Sequence, residues 1–247
     1  LASLAAGSPA DILMEAALAL NAAPVKDIVS RSRLEAEPAV QALDENLDSG
    51  QLLQLEDGKL TITSNLLVIA VPHWNALRDK IIQMVISYHQ HSPLRLGMPR
   101  EELKSKLKLT PRVFNALVKK LVTERALADA GGTVSIPGHE IRFDSEQQTK
   151  VEGLMRRFAE NPYSPPSVKE CQADVGEDVI AALVELGQIK QLTPDVVFRS
   201  EDYEKMVTKV RAFITENGQL TVANARVLFG SSRKYMLALL EHLDAIS

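Results

Sequence analysis

At 247 residues the chain has room for one large domain or several small ones. Its 45% hydrophobic and 24% charged content suits a folded protein, and a net charge of -4 excludes a uniformly basic nucleic-acid binder. Aromatics at 4% are too few for broad base-stacking platforms, and the one cysteine, Cys171, can form neither an intrachain disulfide nor a thiolate cage.

The elements repeat along the chain. Ile12, Leu13, Ala16 and Leu20 predict a first helix, Val25, Ile28 and Val29 a second, and Val40, Leu43 and Leu47 a third that Gly50 closes. Leu53 and Leu55 then alternate, Asp57-Gly58 predicts a turn, and Leu60 and Ile62 alternate back as a hairpin. The longest apolar run, Leu66 to Val71, has the length of a buried strand; no run approaches the eighteen apolar residues of a membrane span.

The second repeat has a stripe of Ile81, Ile82, Val85 and Ile86, then a helix opened by Pro99, Glu101 and Glu102 with Leu103 and Leu107 on one face. Thr110-Pro111 starts a third helix through Val113, Leu117 and Leu121, and a hairpin turns at Gly131-Gly132 with Val134 and Ile136 returning. The third repeat reads Val151, Leu154, Met155 and Phe158, a connector with Pro162, Pro165 and Pro166, then Val179, Leu183 and Leu186, and a hairpin at Pro194-Asp195. The fourth reads Tyr203, Met206, Val210, Phe213 and Ile214, then Val222 and Ala225, then Met236, Leu239, Leu240 and Leu243, with no hairpin after it.

A short anchor follows each third helix: Gly50-Gln51-Leu52, Arg125-Ala126-Leu127, Gly187-Gln188-Ile189 and Asp244-Ala245-Ile246. Three helices and a two-stranded wing, repeated, predict a mostly α protein with small β-hairpins. Its expected architecture is four tandem winged-helix domains over 1–72, 73–143, 144–199 and 200–247, the last without its wing. Starting at Leu1 and stopping inside a helical pattern, the chain reads as a piece of something longer.

No catalytic constellation is found. Gly58-Lys59 is no phosphate loop, because Leu53 and Leu60 occupy the positions that would need glycine and a hydroxyl residue. His89 and His91 point to different helix faces and read as a solvated helix end, so no metal site is predicted. The expectation is a binding module with no cofactor of its own.

Basic residues concentrate in two places. Lys205 to Lys234 carries six bases against one acid; Arg100 to Arg125 carries eight against three, along the helices around Lys104 and Lys120. Counting does not separate them, but helix ends do. The start of a helix is partially positive and favours acids. The third helices of repeats one and three obey, with Glu35 and Glu37, and Glu177 and Asp178, whereas the fourth opens Gly230-Ser231-Ser232-Arg233-Lys234-Tyr235. An anion there would meet backbone N–H groups, hydroxyls and two cations. The third helix is also the usual recognition helix of this fold.

The run Ser231-Ser232-Arg233-Lys234-Tyr235, followed by Leu239-Leu240-Glu241-His242-Leu243-Asp244, resembles the C-terminal end of the bacterial selenocysteine-specific elongation factor family, SelB. Ala225-Arg226-Val227-Leu228-Phe229 resembles it more loosely. The resemblance implies an mRNA-binding region in which Arg226, Ser231, Ser232, Arg233, Lys234 and Tyr235 face a selenocysteine insertion hairpin. The earlier winged helices would form a spacer arm. It also implies a cytoplasmic, monomeric parent that binds GTP and magnesium in an N-terminal part and carries selenocysteinyl-tRNA to the ribosome. The family continues into a basic wing after its Leu-Asp pair. Two other classes fit parts of the pattern: a tandem winged-helix regulator of duplex DNA, which needs basic third helices in several repeats, and a protein-interaction scaffold, which suits the acidic average.

Overall fold

The computed structural model describes residues 7–246, so Leu1 and Ser247 lie outside the described residues. The first repeat comprises α1 (Pro9–Leu20), β1 (Ala23–Pro24), α2 (Val25–Ser32), α3 (Ala36–Asp48), β2 (Leu52–Gln54) and β3 (Leu67–Ala70). The second runs through α4 (Val71–His91), β4 (Met98–Pro99), α5 (Arg100–Leu107), α6 (Pro111–Thr123), β5 (Ala128–Asp129) and β6 (Thr133–Ser135). Each forms a three-stranded antiparallel sheet, β1-β3-β2 and β4-β6-β5. The short first strands, Ala23-Pro24 and Met98-Pro99, place a proline at the start of each second helix, where its missing N–H costs nothing.

The third repeat is α7 (Ser145–Glu160), α8 (Val168–Val175), α9 (Glu177–Glu185), β7 (Ile189–Gln191) and β8 (Val197–Arg199), and the fourth is α10 (Ser200–Asn217), α11 (Val222–Phe229) and α12 (Arg233–Ala245). The chain divides into two compact units. One reaches His91 and adds Gly97–His139; the other is Ser92–Leu96 with the residues from Glu140 onward.

Several expectations are corrected. The wing of the first repeat does not return through Leu60 and Ile62. Its return strand is β3, paired Leu52↔Ala70 and Leu53↔Ile69, and Leu60 and Ile62 pack from the loop onto the first core. The reason is burial on both faces. Val68 and Ala70 enter the core made with α1, α2 and α3, while Leu67 and Ile69 enter the core of the second repeat. A strand buried on two sides is continuously apolar and outcompetes an alternating one.

β8 repeats this device, with Val197 in the third core and Phe198 in the fourth. In both units the next helix follows without a linker, β3 into α4 at Val71 and β8 into α10 at Ser200.

The second helix of the third repeat, α8, was not read from the sequence. Its signal is the capping box, in which Ser167 Oγ accepts from Glu170 N and the Glu170 carboxylate accepts from Ser167 N. Val40 and Ile214, placed on core faces, are 44% and 41% exposed, and the real inner face of α3 is Ala39, Ala42, Leu43 and Asn46. His89 is no solvated helix end, since its ring stacks on His139 at 3.5 Å and its Nε2 accepts from Ile136 N.

Three of the anchors share one backbone turn. Gly50, Arg125 and Gly187 all take positive φ, at 68°, 57° and 68°. Each N–H returns to the carbonyl three residues back, at 3.0 Å in every case. The fourth differs, because Asp244 and Ala245 remain in α12.

Candidate nucleic-acid interface

The turn from α11 to α12 is built by Gly230, left-handed at φ 61°, and Ser231, whose N–H bonds the Arg226 carbonyl. Ser232 is the N-cap of α12 but makes no capping hydrogen bond, which leaves the first-turn N–H groups without a side-chain partner from it. Arg226 and Arg233 are exposed on either side of this turn. Neither forms an ion pair among the described residues.

The other sequence-selected residues are differently placed. Ser231 is buried, its hydroxyl donating to the Tyr163 carbonyl and lying 3.1 Å from Ser164 Oγ. Tyr235 is half-buried and donates its hydroxyl to the Pro165 carbonyl at 2.6 Å; burial pushes its phenol pKa up. These two side chains therefore face the Tyr163–Pro165 connector of the third repeat, correcting the expectation that they face a ligand. Lys209 joins them, donating to Tyr163 Oη at 3.0 Å and lying over the Tyr163 ring. The proline-rich connector is thus clamped to the fourth repeat rather than left as a free hinge.

Lys234 pairs with Asp195 in the β7–β8 turn, and that hydrogen bond raises its pKa. The same relation holds in the first unit. Arg112, in the first turn of α6, forms two bonds to the Glu56 carboxylate, at 2.8 and 2.6 Å, and Lys119 bonds Asp57 at 2.6 Å. Both acids lie in the wing segment after β2, and the bonds from Arg112 and Lys119 hold their pKa values below the ordinary range. So α12 is not the one third helix that opens with a cation. In each unit a basic first turn is met by an acid from the preceding wing.

This resolves the tie between the two basic segments. Arg100, Lys104, Lys106, Arg112, Lys119 and Lys120 are all engaged with carboxylates. In the fourth repeat Arg211, Arg226 and Arg233 have no ion-pair partner among the described residues. The remaining two of the Arg100 to Arg125 segment, Lys108 and Arg125, are exposed without an ion pair among the described residues but sit at helix C-terminal ends, whereas Arg226 and Arg233 flank a helix start, where an anion also meets free N–H groups.

Helix trios with small antiparallel wings define the class: a tandem winged-helix binding module. Among the described residues no group of three His, Cys, Asp or Glu could hold a metal, and no helix is long and apolar enough to cross a membrane.

Residues 82–136 and 212–247 each match a winged-helix model of elongation factor SelB. The selenocysteine-specific elongation factor of Desulfomicrobium baculatum is 23% identical over 178 residues, covering 69% of this chain and 28% of that protein. The chain thus spans less than a third of that relative. Its matched segments are similar to the winged-helix region of elongation factor SelB.

Two solved structures are similar at lower levels. A bacterial selenocysteine-specific elongation factor EF-Sec aligns with TM-score 0.41 and 16% identity over 74% of this chain and 29% of that one. The mRNA-binding domain of elongation factor SelB from E. coli, in complex with SECIS RNA, aligns with TM-score 0.35 and 21% identity over 42% of this chain and 88% of that one.

Proposed function

We propose that this chain is the mRNA-binding region of a selenocysteine-specific translation elongation factor. Its fourth winged helix grips a selenocysteine insertion hairpin, and the first three form a spacer arm. The domains divide as 1–72, 73–143, 144–199 and 200–247. Through its parent protein it serves a cytoplasmic, monomeric factor that binds GTP and magnesium elsewhere and delivers selenocysteinyl-tRNA to the ribosome. The region itself binds and performs no chemistry.

The observation that carries the reading is the pair of unpartnered arginines, Arg226 and Arg233, flanking the uncapped start of α12 in the segment that matches the family model. Exposed guanidinium groups beside free backbone N–H groups suit phosphate, which accepts from both. Within the site, Arg233 and Arg226 contact the backbone of the hairpin and Ser232 supports them. Lys234 is available only when released from Asp195, and Ser231 and Tyr235 hold the turn in place.

The test is fluorescence anisotropy with a labelled selenocysteine insertion hairpin. Arg233→Ala is expected to weaken binding about tenfold and to reduce the slope of log K against log salt by about 1. Unchanged affinity and slope in both Arg233→Ala and Arg226→Ala would refute the assignment.

A further inference from the structure

We propose that Asp195 is a built-in counter-anion, holding on Lys234 the place that an RNA phosphate takes, so that hairpin binding at α12 exchanges one anion for the other. This rests on the RNA reading above. A carboxylate and a phosphate oxygen make the same charge-assisted bond to an ammonium group, so a wing acid seated on a recognition-helix lysine is an internal substitute for ligand.

The two units show why the exchange belongs to the second. In the first, Glu56 is fixed from several directions: two bonds from Arg112, and a third from Leu67 N at 2.9 Å. Its side chain is 24% exposed, and Arg112 is further tied to the Asn65 carbonyl at 2.6 Å. That contact is a closed joint.

Asp195 is held differently. Its side chain is 50% exposed, and its carboxylate has one hydrogen-bonded partner, Lys234, itself 44% exposed. The turn around it is set by backbone bonds to Thr193 Oγ1, from Asp195 N at 3.3 Å and Val196 N at 3.1 Å, which do not use the carboxylate. The carboxylate can therefore rotate away while the turn stays formed. Glu170 of α8 adds to the negative potential around Lys234, so the third repeat as well as Asp195 opposes a phosphate there. Neighbouring Arg233 carries no such partner. The first contact then falls to Arg233 and the exchange at Lys234 follows, so Asp195 sets how much phosphate density is needed to bind.

The experiment uses the full chain and the same labelled hairpin across a salt series. Asp195→Asn is expected to bind about three- to tenfold more tightly with an unchanged salt slope, because the same phosphate is neutralised without first displacing the carboxylate. Asp195→Ala serves if the asparagine variant misfolds, and Asp195→Glu should restore the parent's affinity. Lys234→Ala should weaken binding, and adding Asp195→Asn to it should change nothing, because the effect runs through Lys234. The proposal is overturned if Asp195→Asn binds no tighter than the parent while Arg233→Ala still weakens binding; the RNA reading then stands alone. Equal tightening in the Lys234→Ala background also overturns it, as a general charge effect. No hairpin binding by parent or variants overturns both.

Discussion

Two kinds of residue set the behaviour of this chain, those that end its helices and those that neutralise its cations. At the anchors, a left-handed residue turns the chain from a third helix into a wing, and repeats one and three use glycine where repeat two uses Arg125. A side chain in this conformation costs ~1–2 kcal/mol, which glycine avoids. Arg125→Gly is therefore expected to stabilise its unit by up to about 1 kcal/mol, and Gly187→Ala to destabilise the other by about 1 kcal/mol, both measured by urea unfolding. Equal stability in both would show that the repeat of φ values has no energetic weight. The glycine anchors were legible from the sequence. That Arg125 takes the same conformation was legible only by aligning the repeat, since arginine carries no left-handed preference of its own.

At the scale of elements, the decisive feature is a strand with two inner faces. β3 and β8 each send alternate side chains into the cores of successive repeats and continue directly into a helix. The junction at β8 is fixed by Arg199, which bonds Asp202 through both arms at 2.8 and 2.9 Å, with Asp202 only 3% exposed. Removing the carboxylate strands a charged group beside the core. Asp202→Ala is expected to cost about 2 kcal/mol in the second unit, read by chemical denaturation; a loss indistinguishable from zero would mean the junction is held by Phe198 and Val197 alone. The wing of the first repeat was misread at this scale. Leu53, Leu55, Leu60 and Ile62 alternate as a hairpin should, but the local pattern could not know that Leu67–Ala70 would be buried on both sides. Helix α8 is the opposite case: its capping box is present in the letters, but the proline-rich stretch before it predicts a loop.

For the whole molecule, the two units answer acid in the same direction through different histidines. In the first, His89 accepts from Ile136 N through Nε2, so its proton sits on Nδ1, a buried atom without a partner. Burial, and then the neighbouring His139, hold its pKa below the usual 6.5. In the second, burial, and then Lys190, lower that of His242, which lies edge-on to Tyr203. Because both folded values are depressed, the unfolded chain takes up these protons first. The associated stability is present above about pH 6.5 and is lost as pH falls through the folded values. The carboxylates Glu56 and Asp57, lowered by Arg112 and Lys119, begin to matter only below about pH 4.5. Thermal midpoints should thus fall between about pH 7.5 and 5.5, and the double variant His89→Gln, His242→Gln should show a smaller fall. A fall of the same size in the double variant would place the acid sensitivity elsewhere.

The sequence by itself determined the period of the molecule: which segments are helices apart from α8, where the first three third helices end, and that a wing follows each of those three. Those features rest on local forces, namely the spacing of apolar residues, capping and the left-handed tolerance of glycine. It also located the basic opening of α12, because a cation at a helix start is locally unfavourable and stands out. The tertiary structure decided which cations remain available. Arg112, Lys119 and Lys234 are each met by an acid from the preceding wing, roughly forty to sixty positions away in sequence, and Ser231 and Tyr235 are turned inward onto the Tyr163–Pro165 connector. Pairing between charges depends on distance in space, which a count along the chain does not contain. Of the cations the sequence placed at the site, Arg226 and Arg233 remain exposed and without an ion pair among the described residues, a smaller site than the sequence outlined.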